Sequence, residues 1–123
     1  MVLADTSVWI EHFRRSDPCL VNALVSGQVS MHPIVIGELA TGNLKNRARV
    51  LTDLHALPRI REATFEECLH LIEAQKLSGK GLGWNDVQLL AAARIEGLPL
   101  WTLDRALQRA AKALGVGYRG AGY

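Results

Sequence analysis

Short apolar runs alternate along this chain with longer stretches whose apolar positions recur every three or four residues. Val2-Leu3-Ala4 and Leu98-Pro99-Leu100-Trp101-Thr102 are runs of the first kind, bounded by turn or cap residues, and predict buried strands of a parallel sheet. Each is followed almost at once by Asp and then by a helical pattern, the order of a strand–helix unit. Thr6-Ser7 offers capping hydroxyls to a helix over about Val8 to Arg14, with Trp9 and Phe13 one turn apart. Asp17-Pro18 starts a second helix that Gly27 ends, a short strand follows from Val29 to Met31, and Pro33 opens a helix stopping at Gly42. Lys45 to Leu57 reads as a helix and Arg59 to Arg61 as a brief extended stretch. Thr64-Phe65-Glu66-Glu67 has the spacing of a capping box for a helix reaching about Leu77. The loop Ser78 to Gly83 is rich in glycine but lacks Walker A spacing and a preceding strand. Trp84 to Ile95 and Arg105 to Leu114 are the last helices, stopped by Gly97 and Gly115, and Val116 to Tyr118 is a candidate edge strand.

Composition narrows the class. The chain has 123 residues, 49% hydrophobic and 21% charged, which predicts one globular domain over residues 1–123 and excludes disorder. No apolar run approaches the roughly 20 residues of a membrane span. The first residues read directly as a strand, with no basic leader, so a cytoplasmic protein without membrane association is expected. Cys19 and Cys68 are isolated and read as small apolar residues in a reducing compartment rather than as a zinc site or a disulfide. His12, His32, His55 and His70 are scattered, and no spacing among them supports a general base. A net charge of +2 permits a nucleic-acid partner without requiring one.

The candidate chemistry rests on four acids. Asp5 and Asp104 each follow an apolar run, while Glu38 and Asp86 fall inside helical patterns. In open α/β sheets the ligand crevice lies beyond the carboxyl ends of the strands, so acids at two such ends share one edge. Carboxylates gathered there repel one another unless a cation compensates, and all-oxygen donors suit Mg²⁺ or Mn²⁺. Attack of metal-activated water on a phosphodiester is the reaction such a site supports best. Taken singly, each acid has a plainer role. Asp5 and Asp104 would serve as helix caps, Asp86 would complement a helix dipole, and Glu38 would lie on an exposed helix edge. The case rests on the set.

The set also has a family look. Asp5-Thr6-Ser7-Val8-Trp9-Ile10, Gly37-Glu38-Leu39 with Gly42, Gly83-Trp84-Asn85-Asp86 leading into Leu89-Leu90-Ala91-Ala92-Ala93, and Leu100-Trp101-Thr102-Leu103-Asp104 resemble the PIN domain. Their order and spacing are similar to those of the VapC toxins of bacterial toxin–antitoxin pairs, over essentially the whole chain. The resemblance implies a three-layer α/β/α sandwich with a mostly parallel central sheet and Mg²⁺- or Mn²⁺-dependent endoribonuclease activity. It implies Asp5, Glu38, Asp86 and Asp104 as the acidic, metal-holding quartet, with Thr6 or Ser7 and Thr102 as hydroxyls near the site. Asn85 departs from the pattern, being polar where many relatives are apolar, and is placed among the residues supporting the ligands. A small antitoxin protein docking near the first helix and a homodimer are also implied.

Two surfaces complete the expectations. Arg105, Arg109 and Lys112 fall on one face of the last helix, opposite Leu107, Ala111 and Leu114, and begin beside Asp104, where they could track an RNA backbone. Arg14 with Arg15, and Lys45, Arg47 and Arg49, would extend that field, against the plainer reading of solvated faces. Trp9, Ile10 and Phe13 would line a groove for the antitoxin, although burial against the sheet explains them equally well. Trp84 could stack an unpaired base, but core packing is the expected role for it and for Trp101. The rival functions are a catalytically inactive RNA-binding or scaffolding module of the same fold, and a Mg²⁺-dependent phosphatase. Against the phosphatase, this chain lacks a second Asp two residues after Asp5, where Ser7 stands.

Overall fold

In the computed structural model, which describes residues 1–120, three parallel strands form the centre of an α/β/α fold. The order of elements is β1 (Val2–Ala4), α1 (Thr6–Arg14), α2 (Pro18–Val25), β2 (Val29–Ser30), α3 (Pro33–Thr41), α4 (Arg47–His55), α5 (Phe65–Gln75), α6 (Trp84–Glu96), β3 (Leu100–Trp101) and α7 (Arg105–Ala113). The sheet order is β2-β1-β3, with Val2 opposite Val29 and Leu3 opposite both Ser30 and Leu100. Single parallel bridges at Met31–Arg59 and Leu100–Gly117 widen it on either side. The expected extended stretch at 59–61 and edge strand at 116–118 are therefore each present as one bridge rather than a full strand.

Every strand residue is buried, which is why β1 and β3 read as unbroken apolar runs, while β2 pairs Val29 with a buried Ser30. Leu3, Leu20, Met31, Leu89, Leu90, Leu100, Trp101 and Leu107 are closed off from solvent on both sides of the sheet. Helix α1 packs on α3 and α3 on α4, while α5, α6 and α7 pack in series. Caps explain most boundaries. Asp17 Oδ1 accepts from the N–H groups of Cys19 and Leu20 with Pro18 at the first turn, and Thr64 and Glu67 form the reciprocal capping box. Helix α4 starts at Arg47 instead of Lys45 because Asn46 adopts a left-handed backbone (φ 53°) and supplies no side-chain cap. Among the described residues no helix is long and apolar enough to cross a membrane.

The chain crosses from β1 to β2 on one side and returns past β1 to β3 on the other. The carboxyl ends of β1 and β3 therefore flank the switch point where a doubly wound sheet opens a crevice.

Candidate active site

Asp5 follows the last residue of β1, so the central strand delivers it to that switch point. Its N–H donates to the Trp101 carbonyl at 2.9 Å, continuing the ladder to β3. Its side chain caps α1. Oδ1 accepts from the Val8 N–H at 3.2 Å and from the Ser7 hydroxyl at 2.5 Å, and Oδ2 accepts from the Thr102 hydroxyl. Only 6% of the residue is exposed. Burial pushes the carboxyl above the usual carboxylate range, and the hydrogen bonds from Ser7, Thr102 and Val8 pull it back.

The two hydroxyls each face two ways. Thr102 Oγ1 accepts from the Asp104 N–H at 3.0 Å, and Ser7 Oγ accepts from the Leu103 N–H at 3.0 Å. The start of α1 and the turn between β3 and α7 are thereby fastened around one carboxylate. Gln108 adds a bond from Nε2 to the Thr102 carbonyl at 2.8 Å.

The remaining acids come from three other elements. Asp104 is exposed and caps α7, Oδ2 accepting from the Leu107 N–H at 3.0 Å. Asp86, in the first turn of α6, accepts from the Gly83 N–H at 2.9 Å. Glu38 projects from the exposed edge of α3, whose other face buries Val35, Ile36 and Leu39. Its Oε1 accepts from the Thr6 hydroxyl at 2.6 Å and its Oε2 from the Asn85 amide at 3.4 Å. Residues adjoining Asp5 and Asp86 thus both hold Glu38.

The four acids are brought to one edge as segments, but their oxygens do not form a ready coordination shell. Among the described residues no three His, Cys, Asp or Glu groups are disposed to hold a metal ion, because each carboxylate is turned to an N–H or O–H donor. The charges are also uncompensated. The ion pairs among the described residues join Glu11 to Arg14 and Arg15, Asp53 to Arg49, and Glu67 to Arg61, and none includes the quartet. An all-oxygen edge with a buried carboxylate and no basic partner fits a hard divalent cation in kind.

Residues 2–113 match the family model described as PIN domain. The chain is also similar to Ribonuclease VapC32 of Mycobacterium tuberculosis, from strain CDC 1551 / Oshkosh and from strain ATCC 25618 / H37Rv. It is 44% identical to each over 117 residues, covering 94% of this chain and 94% of the relative. The chain belongs to the PIN domain family.

Away from the acidic edge, this PIN domain keeps some of the expected surfaces and alters others. Arg105, Arg109 and Lys112 are all exposed, opposite the buried Leu107 and Ala111. Arg47 is committed elsewhere, its guanidinium donating to the carbonyls of Ala40 and Gly42 at the end of α3. Arg14, Arg15 and Arg49 lie within reach of acids on their own helices, as exposed pairs that contribute little. Ile10 and Phe13 are exposed on α1, but Trp9 is 3% exposed and packs inward, so it cannot line an open groove. Trp101 is core as expected. Trp84 is not, since 41% of it is exposed and its ring meets that of Phe65 at 5.4 Å. A cavity of about 590 Å³ between β3, α7 and the segment after it is lined by Thr102, Gln108, Lys112 and Arg119, and by none of the quartet.

Two contributors escape a reading of the sequence. Gln108 lies one helical turn after Asp104, and only the fold shows that its amide reaches back to Thr102. His32 is buried and caps α3, Nδ1 accepting from the Ile34 N–H at 3.0 Å. No ligand or general-base spacing in the sequence marks that role.

Proposed function

We propose that this PIN domain is a Mg²⁺- or Mn²⁺-dependent endoribonuclease and the toxin of a VapB–VapC type toxin–antitoxin pair. The observation that carries the reading is the buried Asp5 at the switch point, tied to the turn bearing Asp104 and accompanied by Glu38 and Asp86, with no basic partner for any of them among the described residues. Similarity to a protein named as a VapC ribonuclease supports it independently.

In this reading Asp5, Glu38, Asp86 and Asp104 hold the cation, which when bound activates water and offsets charge on the phosphodiester. Thr102 and Ser7 fix the rotamer of Asp5. Arg105, Arg109 and Lys112, with Arg14 at the outer margin, contact phosphates of the RNA. The antitoxin covers Ile10 and Phe13, the exposed part of the expected α1 surface, and the toxin acts as a homodimer in the cytoplasm.

The test is cleavage of structured RNAs by the purified protein with and without Mg²⁺ or Mn²⁺, beside Asp5→Asn. Internal cuts that need both the metal and Asp5 are expected. Absence of metal-stimulated cutting by the wild type, or equal cutting by Asp5→Asn, would overturn the proposal.

A further inference from the structure

Glu38 differs from its three companions in how it is held. Asp5, Asp86 and Asp104 each accept a backbone N–H, from Val8, Gly83 and Leu107 respectively, so helix starts fix their carboxylates. Glu38 lies in the second half of α3, where backbone N–H groups are used within the helix, and the donors to its carboxylate are two side chains. An exposed Glu has three rotatable torsions and samples many rotamers unless something restrains it. Here the restraints come from two different helices, α1 and α6. Thr6, 32 positions away and next to Asp5, donates to one oxygen, and Asn85, 47 positions away and next to Asp86, donates to the other. Hydroxyl and amide both donate without adding charge, leaving the negative field of the site intact.

We propose that Asn85 is a positioning residue that couples α6 to Glu38 and sets the separation of the Glu38 and Asp86 carboxylates, and with it the affinity of the site for a divalent cation. Thr6 is the other arm. This rests on the nuclease reading above and deepens it. The Asn85 bond is the longer of the two, 3.4 Å against 2.6 Å.

The experiment is a Mn²⁺ titration of the purified protein followed by tryptophan fluorescence, with Trp84, the sequence neighbour of Asn85, among the reporters, together with RNA cleavage over the same metal range. Asn85→Leu keeps the side-chain size and removes the donor, while Asn85→Gln restores an amide on a longer arm. Asn85→Leu should weaken Mn²⁺ binding roughly tenfold, the loss typical of a residue supporting a metal ligand. Its cleavage should fall at low metal and recover at high metal, with the metal-free melting temperature unchanged. Asn85→Gln should regain part of the affinity. Unaltered titration and cleavage by Asn85→Leu, in a protein whose wild type binds Mn²⁺ and cuts RNA, would overturn the positioning role and leave the nuclease reading standing. A lowered metal-free melting temperature that added metal does not rescue would also overturn it, by making Asn85 a residue of the fold. A wild type that neither binds Mn²⁺ nor cuts RNA would overturn both.

Discussion

Thr102 and Asp5 are hydrogen-bonded across 97 positions of sequence, the hydroxyl donating to Oδ2 while it accepts from the Asp104 N–H. Both residues are almost wholly buried, at 2% and 6% exposure. A hydroxyl at this place does what no apolar isostere can, since it gives a buried carboxylate a donor and also satisfies the backbone of the turn that carries Asp104. Thr102→Val should therefore destabilise the metal-free protein by about 1 to 3 kcal/mol, the penalty of leaving buried polar groups unpaired, whereas Thr102→Ser retains most of the stability. Cleavage should fall in the Val variant and persist in the Ser variant. Thermal unfolding and RNA cleavage on the same preparations check this, and equal stability of the Val and Ser variants would remove the role given to the hydroxyl.

Metal should stabilise the wild type. A ligand bound only by the folded form contributes about 2.7 kcal/mol at a hundredfold excess over its Kd, on the order of 10 °C for a domain of this size. Asp5→Asn together with Asp86→Asn should abolish that increment, whatever the melting temperature of the metal-free variant. Asn at position 5 keeps one acceptor oxygen for the start of α1 and removes the buried charge, but its NH2 group replaces the oxygen that accepts from Thr102, so the increment on adding metal, rather than the starting melting temperature, is the readout. An equal rise in the double variant would place the ions elsewhere on the surface.

The parts of the fold legible in the sequence are those set by local chemistry. Buried parallel strands leave apolar runs, so Val2–Ala4 is read with its observed ends, and Asp17-Pro18 and the Thr64–Glu67 box announce their helices because capping needs particular side chains at particular spacings. What depends on reach across the fold is not legible. Arg47 looks like a free cation until α3 ends within range of its guanidinium, and Trp84 looks like core until α6 turns it toward Phe65 at the surface. Asn85 reads along the chain only as a support for the ligands, and which acid it meets is not legible, because its partner lies on another helix. The acids themselves are legible as a set through strand-end position, whereas the donor that each one meets is a property of the assembled edge.

His32 gives the protein a pH dependence separate from the acidic edge. Burial pushes its imidazole below the ordinary value of 6.5, with Glu62 opposing the shift and Arg59 reinforcing it. The hydrogen bond from Ile34 N–H also requires Nδ1 to be unprotonated. A histidine whose pKa is lower when folded takes up its proton preferentially in the unfolded chain. Stability is then full well above pH 6.5, falls as pH drops through that value, and levels off only below the depressed folded value. His32→Asn, which keeps a cap acceptor and does not titrate, should flatten this part of the profile. Denaturant unfolding between about pH 8 and pH 5 on both proteins is the measurement, and parallel profiles would assign the acid sensitivity to other groups.

The exposed row of Arg105, Arg109 and Lys112 can be tested against its role as a merely solvated helix face. None of the three takes part in an ion pair among the described residues, in contrast to Arg14, Arg15 and Arg49, so their charge is available to a partner. If they meet phosphates, replacing all three with Gln should weaken RNA binding regardless of sequence. It should also reduce the log–log salt slope by about 0.7 for each single-strand phosphate that is no longer neutralised. Stability should change by less than about 0.5 kcal/mol for each exposed substitution, and the Mn²⁺ titration should be unmoved, because none of the ion pairs among the described residues joins any of the three side chains to the quartet. RNA binding measured in the Asp5→Asn background over a range of salt, with the Mn²⁺ titration run on the triple Gln variant that keeps Asp5, separates the outcomes. A flattened slope with intact metal binding assigns the row to RNA, and an unchanged slope sends the RNA path toward Arg14, Arg15 and Lys45 instead.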